Sequence, residues 1–195
     1  MKIKQVELTD TVFIKSKLHL NEKLEVAFAG RSNVGKSSLL NKIFNKTIAK
    51  TSSKPGKTRS INYYLVNQKY YFVDLPGYGY AVGPQSEKDK WEILMSEYFE
   101  LSTTLQTVFL LLDHRHKPKD LDHQMIQWLK SMDIPFSIIL TKEDKLKTNE
   151  KNKMFAQIKS ELSQYGQFMY FPVSTLKNTG IDSLSNYIGN IFGEI

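Results

Sequence analysis

The chain has 195 residues, a formal net charge of +7, 41% hydrophobic and 24% charged residues. These values fit one globular domain that buries about 70% of its unfolded surface. The absence of cysteine excludes disulfides and thiolate metal sites and suits a reducing compartment. The segment MKIKQVELTD lacks the apolar core of a signal peptide. The longest clean apolar run, Val108 to Leu112, is too short to cross a bilayer, so a cytoplasmic protein is expected. The basic balance fits a polyanionic partner as readily as a solvated lysine-rich surface.

In chain order, Ile3 to Leu8 reads either as an extra strand or as a tail. From residue 24 onward, strand and helix periods alternate. Leu24–Ala29, closed by Gly30, predicts a buried strand, and Leu39, Leu40, Ile43 and Phe44 predict a helix after it. Asn45 to Ser60 is polar and basic and reads as a long loop. Ile61–Val66 and Tyr70–Asp74 are strands joined as a hairpin by Asn67-Gln68-Lys69. Trp91, Leu94, Met95, Tyr98 and Leu101 form a helical stripe before the strand Thr107–Asp113. Leu121, Met125, Trp128, Leu129 and Met132 form another, before the strand Phe136–Leu140. Met154, Ile158, Leu162 and Tyr165 mark a helix ended by Gly166. The strand Phe168–Val173 and a helix through Ile181, Leu184, Ile188 and Ile191 complete the chain. This order predicts an α/β fold: a six-stranded, mostly parallel sheet with one antiparallel edge strand and helices on both faces.

Residues Gly30-Arg31-Ser32-Asn33-Val34-Gly35-Lys36-Ser37 fit G-x-x-x-x-G-K-[ST], between a predicted strand and a predicted helix. A chance match in a chain of this length has a probability of roughly 1% from average composition. The glycines let backbone N–H groups converge on phosphate oxygens, and the helix N-terminus adds partial positive charge. Lys36 would reach the β- and γ-phosphates, and the Ser37 hydroxyl would ligate Mg²⁺. Thr141-Lys142-Glu143-Asp144 follows a strand end. A carboxylate there accepts from guanine N1–H and its 2-amino group, a donor pair adenine lacks, so Asp144 would select GTP over ATP. Lys142 would lay its apolar stem over the base. Asp74-Leu75-Pro76-Gly77 is a D-x-x-G: Asp74 would hold an Mg²⁺-bound water, and Gly77 would offer its N–H to the γ-phosphate. Tyr78-Gly79-Tyr80-Ala81-Val82-Gly83 carries the glycines of a mobile switch. Thr58, in the long basic loop, is the best candidate for a second Mg²⁺ hydroxyl, with Thr47 and Thr51 as rivals on spacing alone. Val173-Ser174-Thr175 would close over guanine.

With these elements the chain resembles the YihA/EngB (YsxC) family of bacterial ribosome-biogenesis GTP-binding proteins, within the TrmE-Era-EngA-YihA-Septin-like class. The strings carrying the resemblance are Ala29 to Ser38, Thr51-Ser52-Ser53-Lys54-Pro55-Gly56-Lys57-Thr58, Asp74 to Gly79, and Asp113-His114-Arg115-His116-Lys117-Pro118 with Asp122. The resemblance implies a P-loop NTPase G domain over residues 24–195, behind an N-terminal extension of residues 1–23. It assigns the switch I magnesium ligand to Thr58, giving a metal set of Ser37, Thr58 and Asp74. It places Ser38 with the P-loop, Gly56, Lys57, Arg59 and Ser60 with switch I, and Leu75 and Pro76 with switch II, around GTP or GDP. It also implies a role in assembly of the large ribosomal subunit, on rRNA and ribosomal proteins, and through that in septation. Independently of the resemblance, no DNA or membrane partner is expected, and nothing in the sequence suggests an obligate dimer, so a monomer is expected. Lys50, Lys54, Lys57 and Arg59 would put nucleotide state in control of a basic surface.

Ras-type enzymes orient the attacking water with a glutamine just after D-x-x-G; here that place holds Tyr78. Slow intrinsic turnover follows, with outside help from ribosomal particles or from K⁺. In related TrmE-like GTPases an asparagine at the position of Asn33 helps hold that ion. The groups assigned to catalysis are therefore Lys36, Thr58, Gly77 and Asn33. Arg115 is a candidate arginine finger in cis and His116 a candidate base or metal ligand, but the preferred reading of both is structural, as braces of their loop through Asp113 or Asp122. An RNA-binding assembly factor that uses GTP as a conformational ligand is the alternative.

Overall fold

The computed structural model describes residues 1–13, 18, 22–50, 60–79 and 85–194. Seven strands and five α-helices succeed one another as β1 (Val6–Val12), β2 (Glu25–Gly30), α1 (Lys36–Phe44), β3 (Ile61–Val66), β4 (Tyr70–Asp74), α2 (Gln85–Leu101), β5 (Leu105–Asp113), α3 (Asp120–Ser131), β6 (Phe136–Thr141), α4 (Thr148–Leu162), β7 (Tyr170–Pro172) and α5 (Ile181–Ile191). They form one sheet in the order β1-β3-β4-β2-β5-β6-β7.

Strands β2, β4, β5, β6 and β7 are parallel, and β3 runs against β4 as the hairpin predicted. The count is seven rather than six, because the N-terminal segment pairs antiparallel with β3. The antiparallel strand is thereby moved one place in from the edge. The reason this segment reads ambiguously lies at Thr9. Leu8 pairs with Tyr64 and Asp10 with Tyr63, so Thr9 is an extra residue that breaks the period of two. Val6 then packs in the apolar layer on one face of the sheet and Val12 in the layer on the other.

Two buried layers flank the sheet. On one face α2, α3 and α4 contribute Leu94, Met95, Tyr98, Ile126, Leu129 and Ile158, against Ala27, Leu110, Leu112 and Leu140 from the strands. On the other, α1 and α5 contribute Leu39, Leu40, Leu184 and Ile188, against Val26, Phe28, Phe109 and Ile139. Neighbouring residues of β2, β5 and β6 thus face opposite layers, which is why these strands read as continuous apolar runs. Phe28 stacks on Phe72 and Phe109 with ring centroids 5.6 and 5.3 Å apart, tying three strands together. The aromatic and methionine stripes pack in the core as their spacing predicted, with Leu94, Met95, Tyr98, Met125 and Leu129 buried and Trp91, Leu121, Trp128 and Met132 partly buried against them. Among the described residues no helix is long and apolar enough to cross a membrane.

Candidate functional site

The loops leaving the C-terminal ends of the parallel strands are where open α/β sheets bind ligands. Register brings these ends level: Gly30 pairs with Leu111, Phe28 with Asp74, and Asp113 with Thr141. The P-loop turns tightly out of β2. A Cβ on Gly30 would lie 2.9 Å from Val34 Cγ1 and 3.0 Å from Leu111 Cβ, so no larger residue fits. Gly35 precedes α1 with φ 108°, a backbone region that disfavours side chains. Asn33 takes φ 64°, and Val34 N–H donates to Arg31 O at 3.1 Å. Together these turns bring the loop back over the start of α1, where backbone N–H groups and the helix dipole favour an anion.

Lys36 opens α1, and its ammonium is ion-paired with the Asp74 carboxylate at the end of β4; both are buried. An ammonium has three hydrogens, so the pair leaves donors for phosphate oxygens. The Ser37 hydroxyl and the Asp74 carboxylate are hard oxygen donors, the type Mg²⁺ takes. Among the described residues no cluster of three His, Cys, Asp or Glu side chains could hold a metal. This donor set fits an ion that completes its shell with phosphate oxygens and water.

The D-x-x-G loop is locked onto the P-loop. Arg31 and Tyr78 form a parallel bridge, with Ser32 N–H to Tyr78 O at 3.2 Å and Tyr78 N–H to Gly30 O at 3.3 Å. A Cβ on Gly77 would sit 3.2 Å from Ser32 Oγ, so glycine permits this approach. Leu75 is buried, and Pro76 O accepts from Trp91 Nε1 at 3.2 Å. Tyr78 is buried, and its hydroxyl donates to Asp122 Oδ1 at 2.8 Å. The other Asp122 oxygen accepts from Lys119 N–H at 2.9 Å, capping α3. Burial, reinforced by the Asp122 charge, raises the Tyr78 hydroxyl well above its ordinary pKa, so it stays a donor.

At the end of β6, Thr141 Oγ1 donates to Val34 O at 2.7 Å, joining this loop to the P-loop. Lys142, at φ 61°, donates from Nζ to Asn33 O at 2.8 Å and to Asp113 Oδ2 at 2.9 Å. Arg115 grips the same carboxylate with two contacts, Nε to Oδ1 at 2.9 Å and Nη2 to Oδ2 at 2.7 Å. Burial alone would raise the Asp113 carboxyl, but the bonds from Arg115 and Lys142 outweigh it and hold it well below the usual carboxylate range. Asp144 Oδ1 accepts from the hydroxyl of fully buried Ser174 at 2.7 Å. Glu143 anchors the loop instead: its N–H donates to Val173 O at 3.2 Å, and its carboxylate meets Thr179 and Lys151.

The structure therefore brings Gly30 to Lys36, Asp74 to Gly77, Thr141 to Asp144 and Val173-Ser174 to one end of the sheet. Ser38 is exposed, Thr175 is half-buried after Ser174, and Ser60 is buried just before β3. Gly56, Lys57, Thr58 and Arg59 lie outside the described residues, as does the stretch 80–84. Arg115 braces its loop through Asp113, while Asp122 serves Tyr78. His116 is exposed. The use of Asp113 by Lys142 escaped the sequence reading; the signal available was an aspartate ending the strand beside that of Thr141.

Fold and loops together define a P-loop GTPase. The family model described as 50S ribosome-binding GTPase matches residues 25–142. The probable GTP-binding protein EngB of Petrotoga mobilis is 53% identical over 194 residues, spanning 100% of this chain and 99% of its own. That of Clostridioides difficile is 43% identical over 195 residues, 100% of this chain and 96% of its own. A crystal structure of a probable GTP-binding protein EngB superposes with TM-score 0.66 at 25% identity, covering 88% of this chain and 100% of that one. The chain belongs to the EngB (YihA) family of GTP-binding proteins.

Proposed function

We propose that this protein is a slow GTPase acting as a nucleotide-controlled switch in assembly of the large ribosomal subunit, with cell division depending on it indirectly. The observation that carries the catalytic half of this reading is the burial of Tyr78 against Asp122. The side chain that follows D-x-x-G is committed to the core and cannot orient water. What remains for hydrolysis is positioning and charge neutralisation. Lys36 would neutralise charge on the β- and γ-oxygens, Gly77 would donate its N–H to the γ-phosphate, and Asp144 would hold guanine. Ser37, Asp74 and Thr58 would hold Mg²⁺, which when bound spreads the developing phosphate charge. Asn33, an exposed residue of the P-loop, would help hold K⁺, which would supply the missing positive charge. The ribosomal half is supported by the family and by the net charge of +7, which suits an RNA partner in the cytoplasm.

Co-sedimentation with large ribosomal subunits tests the switch. Association should be stronger with a non-hydrolysable GTP analogue than with GDP; equal association in both states would remove the switch. Tyr78 also favours the reading in which GTP is mainly a conformational ligand. Thr58→Ala separates the two, since repeated rounds of assembly by that variant would mean hydrolysis is dispensable.

A further inference from the structure

At the end of the sheet opposite the nucleotide loops lies an open groove of about 930 Å³. It is lined by the β3–β4 turn, by Met1, Lys2, Lys4 and Gln5, and by Asn186 and Asn190 of α5 with Glu194 beyond it. Asn67 shapes it: its Oδ1 accepts from Lys4 N–H at 2.8 Å and Gln5 N–H at 3.2 Å, and its Nδ2 donates to Lys2 O at 2.9 Å. Asn67 N–H also donates to Gln5 O at 2.9 Å. The opening segment is thus fixed in place. Met1 and Ile3 pack toward the apolar layer, which turns Lys2 and Lys4 outward on the other side. Lys69, from the turn, is exposed beside them.

We propose that this groove is a second, nucleotide-independent anchor for the sugar-phosphate backbone of RNA. This rests on the ribosomal reading above and names a contact surface for it. Three lysines line the groove against a single acid, Glu194, so its field is positive. The remaining polar lining is amide: Gln5, Asn67, Asn186 and Asn190. The exposed amides of Gln5, Asn186 and Asn190 donate to phosphate oxygens and exchange hydrogen bonds with 2′-hydroxyls, whereas the half-buried Asn67 amide is committed to Lys2, Lys4 and Gln5. Among the described residues Met1 is the lone apolar side chain in the lining and no aromatic lines it, so they offer no seat for a peptide's apolar anchors or a stacked base. The contact is to backbone, independent of base sequence. The groove sits at the start of β4, whereas Asp74 ends it. RNA held there does not touch the switches, so the anchor persists in the GDP, GTP and empty states.

The test is binding of a short labelled RNA hairpin to the full chain at several salt concentrations, in each nucleotide state. The triple variant Lys2→Glu/Lys4→Glu/Lys69→Glu should lose about tenfold or more in affinity near 0.1 M salt, by the same factor in every state. Its log–log salt slope should fall by about two to three, one unit or slightly less per lysine. Lys153→Glu/Lys159→Glu on α4, also exposed, should bind within about twofold of wild type. Unchanged GTP binding by the triple variant serves as the folding control. Wild-type affinity and slope in that variant, while the native chain binds the hairpin, would remove the groove and leave the ribosomal reading standing. If the native chain binds neither the hairpin nor large subunits, the ribosomal reading itself fails. Poly-glutamate competing as well as RNA would make the groove a site for acidic protein, against the proposal.

Discussion

The Tyr78 hydroxyl donates to Asp122 Oδ1 at 2.8 Å, joining the D-x-x-G loop to the cap of α3. Tyr78 therefore works as a strut. Tyr78→Phe leaves a buried carboxylate oxygen without its donor, so stability should fall by about 1–3 kcal/mol in denaturant unfolding. Hydrolysis per folded molecule should barely change. Tyr78→Gln should not create a fast GTPase, because the backbone bridge to Arg31 aims position 78 inward. A large gain in single-turnover rate for Tyr78→Gln would contradict this.

Asp144 is the selective element. In Asp144→Asn the side chain offers one acceptor and one donor where guanine needs two acceptors. GTP affinity should drop by about 100-fold or more, and xanthosine triphosphate, with a carbonyl in place of the 2-amino group, should gain. Competition titrations against a fluorescent nucleotide measure both; retained guanine preference would place recognition elsewhere.

Arg115 acts on the nucleotide at one remove, through Asp113 and Lys142. Its side chain is 38% exposed, so solvent screening limits the effect. Arg115→Ala should speed GDP release about two- to fivefold, and Arg115→Lys should recover part of the loss. Stopped-flow release of a fluorescent GDP checks this, and an unchanged rate would make the grip purely local.

His114 supplies a pH dependence. Its ring is buried between the end of β5 and α4, with Phe155 at 6.3 Å between centroids. Neither ring nitrogen has a well-formed hydrogen bond among the described residues, although the backbone of Lys151 lies within loose reach. Burial lowers its pKa below the ordinary 6.5, against the opposing pull of Glu143 and Asp113. The unfolded chain then binds the proton more readily, so stability rises with pH up to about 6.5 and falls as pH drops below it. Thermal melts between about pH 7.5 and 5.5 should show this loss. His114→Gln should flatten that slope; an unchanged slope would assign it to other groups.

Much of this site is legible in the sequence because its parts are local strings at strand ends. Gly30 to Ser37, Asp74 to Gly77 and Thr141 to Asp144 each declare their geometry through glycine, a short apolar run and a fixed spacing. The parts that stay hidden depend on pairing between distant segments. Thr9 erases the alternation of β1 by adding one residue, which only the register with β3 reveals. Asp113 becomes the acceptor for Lys142 because β5 and β6 are neighbours in register, a relation no window of sequence contains. The burial of Tyr78 likewise needs α3 to be packed over the switch loop.

The central claim is that this GTP site hydrolyses its nucleotide without a water-orienting side chain of its own. GTPase rate in K⁺ and in Na⁺, each with and without large ribosomal subunits, tests it most directly. The account predicts slow turnover in Na⁺ alone, a higher rate in K⁺, and a further rise with subunits. Rapid turnover in Na⁺ alone, or one common rate in all four conditions, would contradict it.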